Sequence, residues 1–392
     1  MGKQILLFVV ALVLWLVIVL PLVLRIGGVD IFKRSQTSTT SGQPKIGSEP
    51  LLRSRDGGVS WEEGVSRAET AGAAFPTRLT TLVYNPRHAE VLYLGTRGAG
   101  LWKSEKNGDS WTPVRDEAGV LKTTADVYRI AISAASSSIV YAAIFQDKRG
   151  RVVRSDDEGR HFREVYFVSA DNLNVSDLWV NPASADHVRI TTGQGGMLES
   201  EDGGATWRVV RWFDDPLVAL AVEPSTSGTY FVLTSKGTLF RTRDAGVSFT
   251  NLEDGLAQID AGGKGEPVQP GFFNPFSITG LRARAISAFL KDPEVVGRLY
   301  LGLTDGLFRS DDGGTSWARI KVLIPPTVLP IDAVAVSPVD ANVIYVGAGT
   351  QLYKSTDGGI AWNASTFPTT LRVRAIVPRP DQSKALFGIF GT

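Results

Sequence analysis

Residues 51–392 are predicted to fold as an all-β, seven-bladed propeller, and three observations predict it. One phrase recurs seven times: Ser54-Arg-Asp56-Gly-Gly58-Val-Ser-Trp61, then residues 104–111, 155–162, 200–207, 242–249, 310–317 and 355–362. Recurrence at roughly 40 to 50 residues is the mark of a repeat architecture. Between phrases the chain runs through four short β segments divided by Gly, Asp, Asn and Pro turns, which is one propeller blade. Finally, residues 371–392 hold only the first two strands of a unit and residues 51–65 only the last two. Joined, they close the ring and leave no open sheet edge between its ends.

Taken in order, residues 1–26 come first. Residues 5–24 form an apolar run of 20 residues, long enough to cross a bilayer as one helix. No small-x-small cleavage site follows it, so the run reads as an uncleaved single-pass anchor. Pro21 is compatible with a membrane helix. Lys3 precedes the run and Arg25, Lys33 and Arg34 follow it, a balance that leans toward a cytoplasmic ring. Residues 27–50, rich in Ser, Thr, Gly and Pro, read as a flexible tether.

Within the phrase each residue type has a physical reason. The glycine pair suits the positive φ of a tight hairpin. The carboxylates of Asp56, Asp157, Asp202, Asp244, Asp312 and Asp357 can accept turn amides, as in an Asx turn. The rings of Trp61, Trp111, Trp207, Trp317 and Trp362 are expected to bury under the hairpin. Lys106 stands where the second unit should have its acid, with Asn107-Gly108 retained, which assigns the phrase to structure.

Composition removes several function classes. With no cysteine, disulfides, thiolate catalysis and Cys-ligated metals are excluded. A net charge of +1 gives no bulk attraction to nucleic acid, so no nucleic-acid partner is expected. The three histidines, His88, His161 and His187, are scattered, and no Asp-rich turn has a full calcium ligand series, so neither metal nor cofactor is expected.

The phrase S-x-D-x-G-x-[ST]-W resembles the Asp-box, or BNR, repeat, and the resemblance covers residues 51–392. Asp-box propellers include sialidases, xyloglucan-type glycosidases, the sortilin ectodomain and photosystem II assembly factors of the Ycf48 type. A single small ring looks most like the last group, which carries an arginine-rich patch for partner contact. That resemblance implies a corresponding face, without a match of individual positions. Asp-box domains mostly work outside the cytoplasm, so the resemblance places the ring extracytoplasmically, against the charge balance around the anchor.

Two departures from regularity fall on the face opposite the phrases. Arginines cluster at strand starts: Arg78, Arg129, Arg282, Arg284, Arg372 and Arg374. Asp244 and Asp312 are 68 residues apart where other neighbouring phrases are 42 to 51 apart, which marks an insertion at about 252–280 containing Phe272, Phe273 and Phe276. Together they suggest a surface for another membrane or envelope protein. The chain is therefore expected to be a membrane-anchored, non-catalytic docking or assembly module rather than an enzyme. The alternative is a glycoside hydrolase, xyloglucanase-like or sialidase-like, acting on extracellular glycans. A two-carboxylate enzyme would draw on Asp126, Asp177, Asp215 and Asp332, with Asp177 and Asp332 the candidates named for catalysis. The xyloglucan-type enzymes usually work in a cleft between two propellers, and this chain has one. A sialidase would need three channel arginines for a substrate carboxylate and a Tyr–Glu pair, and the tyrosines outside the repeat pattern, Tyr84, Tyr128 and Tyr166, have no obvious glutamate partner.

Overall fold

The computed structural model describes residues 47, 49–62, 74–223, 228–252 and 286–391. Six four-stranded sheets and one three-stranded sheet follow one another around a ring. In each four-stranded blade the strands pair in chain order and antiparallel, as Val175–Asn181, Ser184–Thr192, Gly196–Ser200 and Arg208–Trp212 do in the third blade. The first strands line the centre: Leu79–Tyr84, Asp126–Ile132, Val175–Asn181, Leu217–Val222, Ile286–Lys291, Ala333–Ser337 and Arg372–Pro378 each touch the next, and the last returns to the first. This is the seven-bladed all-β propeller that the repeats predict.

Closure joins distant parts of the chain. Leu51–Ser54 pairs with Leu386–Gly391, which pairs with Arg372–Pro378. Among the described residues a single bridge, Arg53 to Glu62, stands where a fourth strand would run. The seam is sealed by edge-on rings, with Trp61 on Phe367 at 4.9 Å and Phe367 on Phe390 at 4.8 Å. Backbone bonds cross it as well, from the Gly57 amide to the Lys384 carbonyl at 2.7 Å and from the Phe390 amide to the Pro50 carbonyl at 2.8 Å.

The phrase forms the turn from third to fourth strand. Its first hydroxyl is buried and works in two directions: Ser310 Oγ donates to Asp312 at 2.8 Å and accepts the Gly314 amide at 2.8 Å. The carboxylate then gathers the next turn, accepting the Ser316 amide at 2.9 Å and the Ser316 hydroxyl at 2.6 Å. The second unit, with Lys106 at the acid position, keeps the bond from the Gly108 amide to Ser104 at 2.9 Å. A side chain at Gly314 (φ +83°) would run into Leu252 at 2.6 Å, while the Trp317 ring lies 3.7 Å beneath.

The second strands pack the blades together. Tyr93, Tyr141, Tyr300 and Tyr345 are fully buried at one register position, each opposite a cation on the third strand: Lys103, Arg154, Arg309 and Lys354. The hydroxyls of Tyr93, Tyr141 and Tyr345 reach into the following blade, to the carbonyls of Glu158, Ala185 and Ser383. Burial pushes these phenols up to about 12. In the third blade the pair is exchanged, with Arg189 in the tyrosine's place and Glu199 opposite, 2.7 Å apart and both almost wholly buried.

Several expected features lie outside the described residues: the anchor 1–26, nearly all of the tether, the inserted phenylalanines Phe272, Phe273 and Phe276, and Arg282 and Arg284. Among the described residues no helix is long and apolar enough to cross a membrane.

Candidate active site at the channel mouth

Antiparallel order puts the start of every first strand, the end of every second strand and the blade-to-blade connections on one face. The phrase turns lie on the other. Among the described residues, cavities of about 610, 540 and 100 Å³ open on the first of these faces.

The largest is lined by Arg78, Arg97, Tyr128, Arg129, Arg374, Thr80 and Phe390, where the closing, first and second blades meet. Its side chains are aimed by a device common to six blades. Near its start the first strand carries one residue more than its partner, a β-bulge, at Thr80, Tyr128, Ser176, Val218, Ser287 and Arg374. Bulges re-aim a side chain out of the pleat. Three of these bulged residues, Thr80, Tyr128 and Arg374, line the cavity.

The arginines divide into two groups. Arg129 donates to Asp177 at 3.1 Å, and Arg372 to Asp332 at 2.8 Å. Arg78, Arg97 and Arg374 have no carboxylate partner among the described residues, and all three are exposed. The Arg97 amide bonds to the Arg78 carbonyl at 2.8 Å, and the Arg97 guanidinium sits 5.8 Å from the Tyr128 ring centre. The Tyr128 hydroxyl donates to Asp126 at 3.4 Å, and burial, followed by that carboxylate, raises the phenol's pKa.

Of the two acids named from the sequence, neither is idle. Asp177 accepts Arg129, its neighbour's amide at Leu178 and, from the next blade, the Leu220 amide at 2.9 Å. Asp332 accepts the Gly349 amide at 2.7 Å as well as Arg372. Each fastens one blade to another. They stand on the third and sixth blades, so the fold does not bring them side by side. Asp215 is tied to Lys236 at 2.5 Å. Asp126 has Tyr128 as its one side-chain partner among the described residues. Arg97 escaped the sequence reading because it sits in a second-to-third-strand turn; its signal was the break in pattern at Thr96-Arg97-Gly98.

No family model matches the chain. It is 26% identical over 189 residues to an oligoxyloglucan-reducing end-specific xyloglucanase of Emericella nidulans, covering 44% of this chain and 23% of that protein. A xyloglucanase of Acetivibrio thermocellus is 24% identical over 302 residues, 72% of this chain and 30% of its own. The chain thus spans about a quarter of the length of the curated relatives it matches. Among solved structures, the GH74 xyloglucanase of Xanthomonas campestris superposes with a TM-score of 0.61 at 17% identity, covering 80% of this chain and 51% of that one. YCF48 from Cyanidioschyzon merolae superposes with a TM-score of 0.59 at 12% identity, covering 80% and 95%.

These matches correct one expectation. The sequence leads one to expect a non-catalytic docking or assembly module and no enzyme, but the curated relatives that the chain matches are enzymes, xyloglucanases. The docking expectation rests on the arginines, the insertion and the single ring, whereas the replacement of an acid by Lys106 speaks only for the phrase turns. Those turns lie on the face away from the cavity and carry no information about it.

Proposed function

We propose that the ring is a glycoside hydrolase of the xyloglucanase kind, acting on an extracellular glycan at the channel-mouth cavity. The observation that carries this reading is the similarity to curated xyloglucanases, which extends over as much as 72% of the chain. Hydrolysis of a glycosidic bond needs one carboxyl group to protonate the leaving oxygen and a second to act as base or nucleophile. Asp126 is our candidate for the first role, since its carboxylate accepts the hydroxyl of Tyr128, which lines the cavity, and has no cation partner among the described residues. Asp177, on the adjoining blade, is the candidate for the second, positioned by Arg129 and two backbone amides. With the apolar run 5–24 as an anchor, the ring would work at a cell surface.

The test is release of reducing ends from xyloglucan by the full chain. Asp126→Asn should lower turnover about 100-fold or more, the usual scale of a lost general acid, while the unfolding midpoint stays in place. If xyloglucan and other plant glucans are left intact, the reading fails.

One observation favours a second form of it. Three guanidinium groups beside a tyrosine, with no carboxylate partner among the described residues, suit a sugar bearing a carboxylate, as in a sialidase-like enzyme, better than a neutral one. Turnover of an acidic glycan such as polygalacturonate or a sialoside, faster than that of xyloglucan and suppressed by salt, would decide for it.

A further inference from the structure

The smallest of the three cavities sits at the rim, where the third blade's outer strand, Arg208–Trp212, runs into the connection to the fourth blade. Trp212 is 54% exposed, an unusual state for an indole on a strand. It stands directly opposite Gly196, and a side chain there would meet the indole at 2.7 and 2.9 Å. The ring therefore lies on the bare backbone of Gly196. A bulge at Val210 sets up this end of the strand. Arg211, Asp214, Asp215 and Thr238 line the same cavity, as does the buried Phe213.

From this geometry we infer an ancillary carbohydrate-binding site: Trp212 is a platform for one pyranose ring of a polysaccharide. A sugar ring has an apolar face of axial C–H groups and a rim of hydroxyls. One flat aromatic surface edged with carboxylates, a hydroxyl and a guanidinium matches both. A protein partner would ask for a wider apolar patch than a single ring amid charges. The site opens on the same face as the channel-mouth cavity, so one polymer could engage both. The inference rests on the glycan reading and deepens it, by giving the enzyme a second hold on long substrates.

Affinity electrophoresis of the full chain through gels containing xyloglucan or polygalacturonate tests it, alongside turnover of a short oligosaccharide. Trp212→Ala should weaken retardation roughly two- to tenfold and leave short-substrate turnover unchanged. Gly196→Ala, which displaces the indole without removing it, should weaken retardation in the same direction. Retardation of both variants equal to the wild type would overturn the platform while leaving turnover, and the hydrolase reading, intact. A wild type that is neither retarded nor active on any of these glycans would overturn both.

Discussion

The two faces of this ring are made from the same strands yet obey opposite rules. On the phrase face, equivalent positions carry equivalent residues, and hydroxyl, carboxylate and amide satisfy one another inside each turn. On the channel-mouth face the geometry repeats and the chemistry does not: the bulged position is Thr80, Tyr128, Ser176, Val218 or Arg374 according to the blade. Repetition marks what every blade needs in order to fold. Divergence at a repeated position marks what one ring needs in order to act.

The largest effect should come from the scaffold itself. Glu199 holds the buried Arg189 and also accepts His187 at 2.6 Å; burial works to raise its pKa and is outweighed by His187 and Arg189, which leave it lowered. Glu199→Ala removes the carboxylate that holds the buried Arg189 guanidinium, and urea unfolding should show a loss of about 3–5 kcal/mol. Ser310→Ala, on the phrase face, removes the acceptor of the Gly314 amide and should cost about 1–3 kcal/mol by the same measurement. Acid probes together the six phrases that carry an aspartate. The Thr206 hydroxyl and amide hold Asp202 at about 2, and the Ser248 hydroxyl and amide hold Asp244 at about 2, below an ordinary 3.8. Depressed carboxylates stabilise the fold above the unfolded value, and that contribution disappears as pH falls through the folded one. Thermal melts should therefore be insensitive to these groups above about pH 4 and decline between about 4 and 2.

How much of this could be read beforehand follows the same division. The blades were legible because Ser, Asp, Gly and Trp are used for local turn chemistry, complete within eight residues. Arg189 and Glu199 were legible in principle, since they occupy the register places of a Tyr and a cation elsewhere, an exchange visible once the units are aligned. The state of Asp177 was hidden. Its partners, Arg129 and the Leu220 amide, are 48 and 43 residues away, and only the closed ring brings them together. Tyr128 as a cavity residue was hidden too, because a bulge reverses the inward and outward alternation on which strand reading depends. The function was least legible, because the most conspicuous residues belong to the other face.

The smallest effect on stability should come from the residue most exposed to the site, and a neighbour two positions away provides the control. Arg372 and Arg374 lie on one strand, either side of Val373. Arg372 is partnered by Asp332 across the blade boundary, whereas Arg374 occupies the bulge and turns into the cavity with no acid to meet it among the described residues. Arg372→Gln should thus lower stability by about 1 kcal/mol and leave binding of an acidic sugar little changed. Arg374→Gln should do the reverse. Unfolding should stay within about 0.5 kcal/mol of wild type, the scale of a surface substitution, while affinity for the sugar carboxylate falls about tenfold or more, the scale of one charge-assisted hydrogen bond. Titration and urea melts on the two variants separate these outcomes. Were Arg374→Gln to destabilise the ring as Arg372→Gln does, the bulge would be a joint between blades, and the contrast between the two faces would lose its clearest instance.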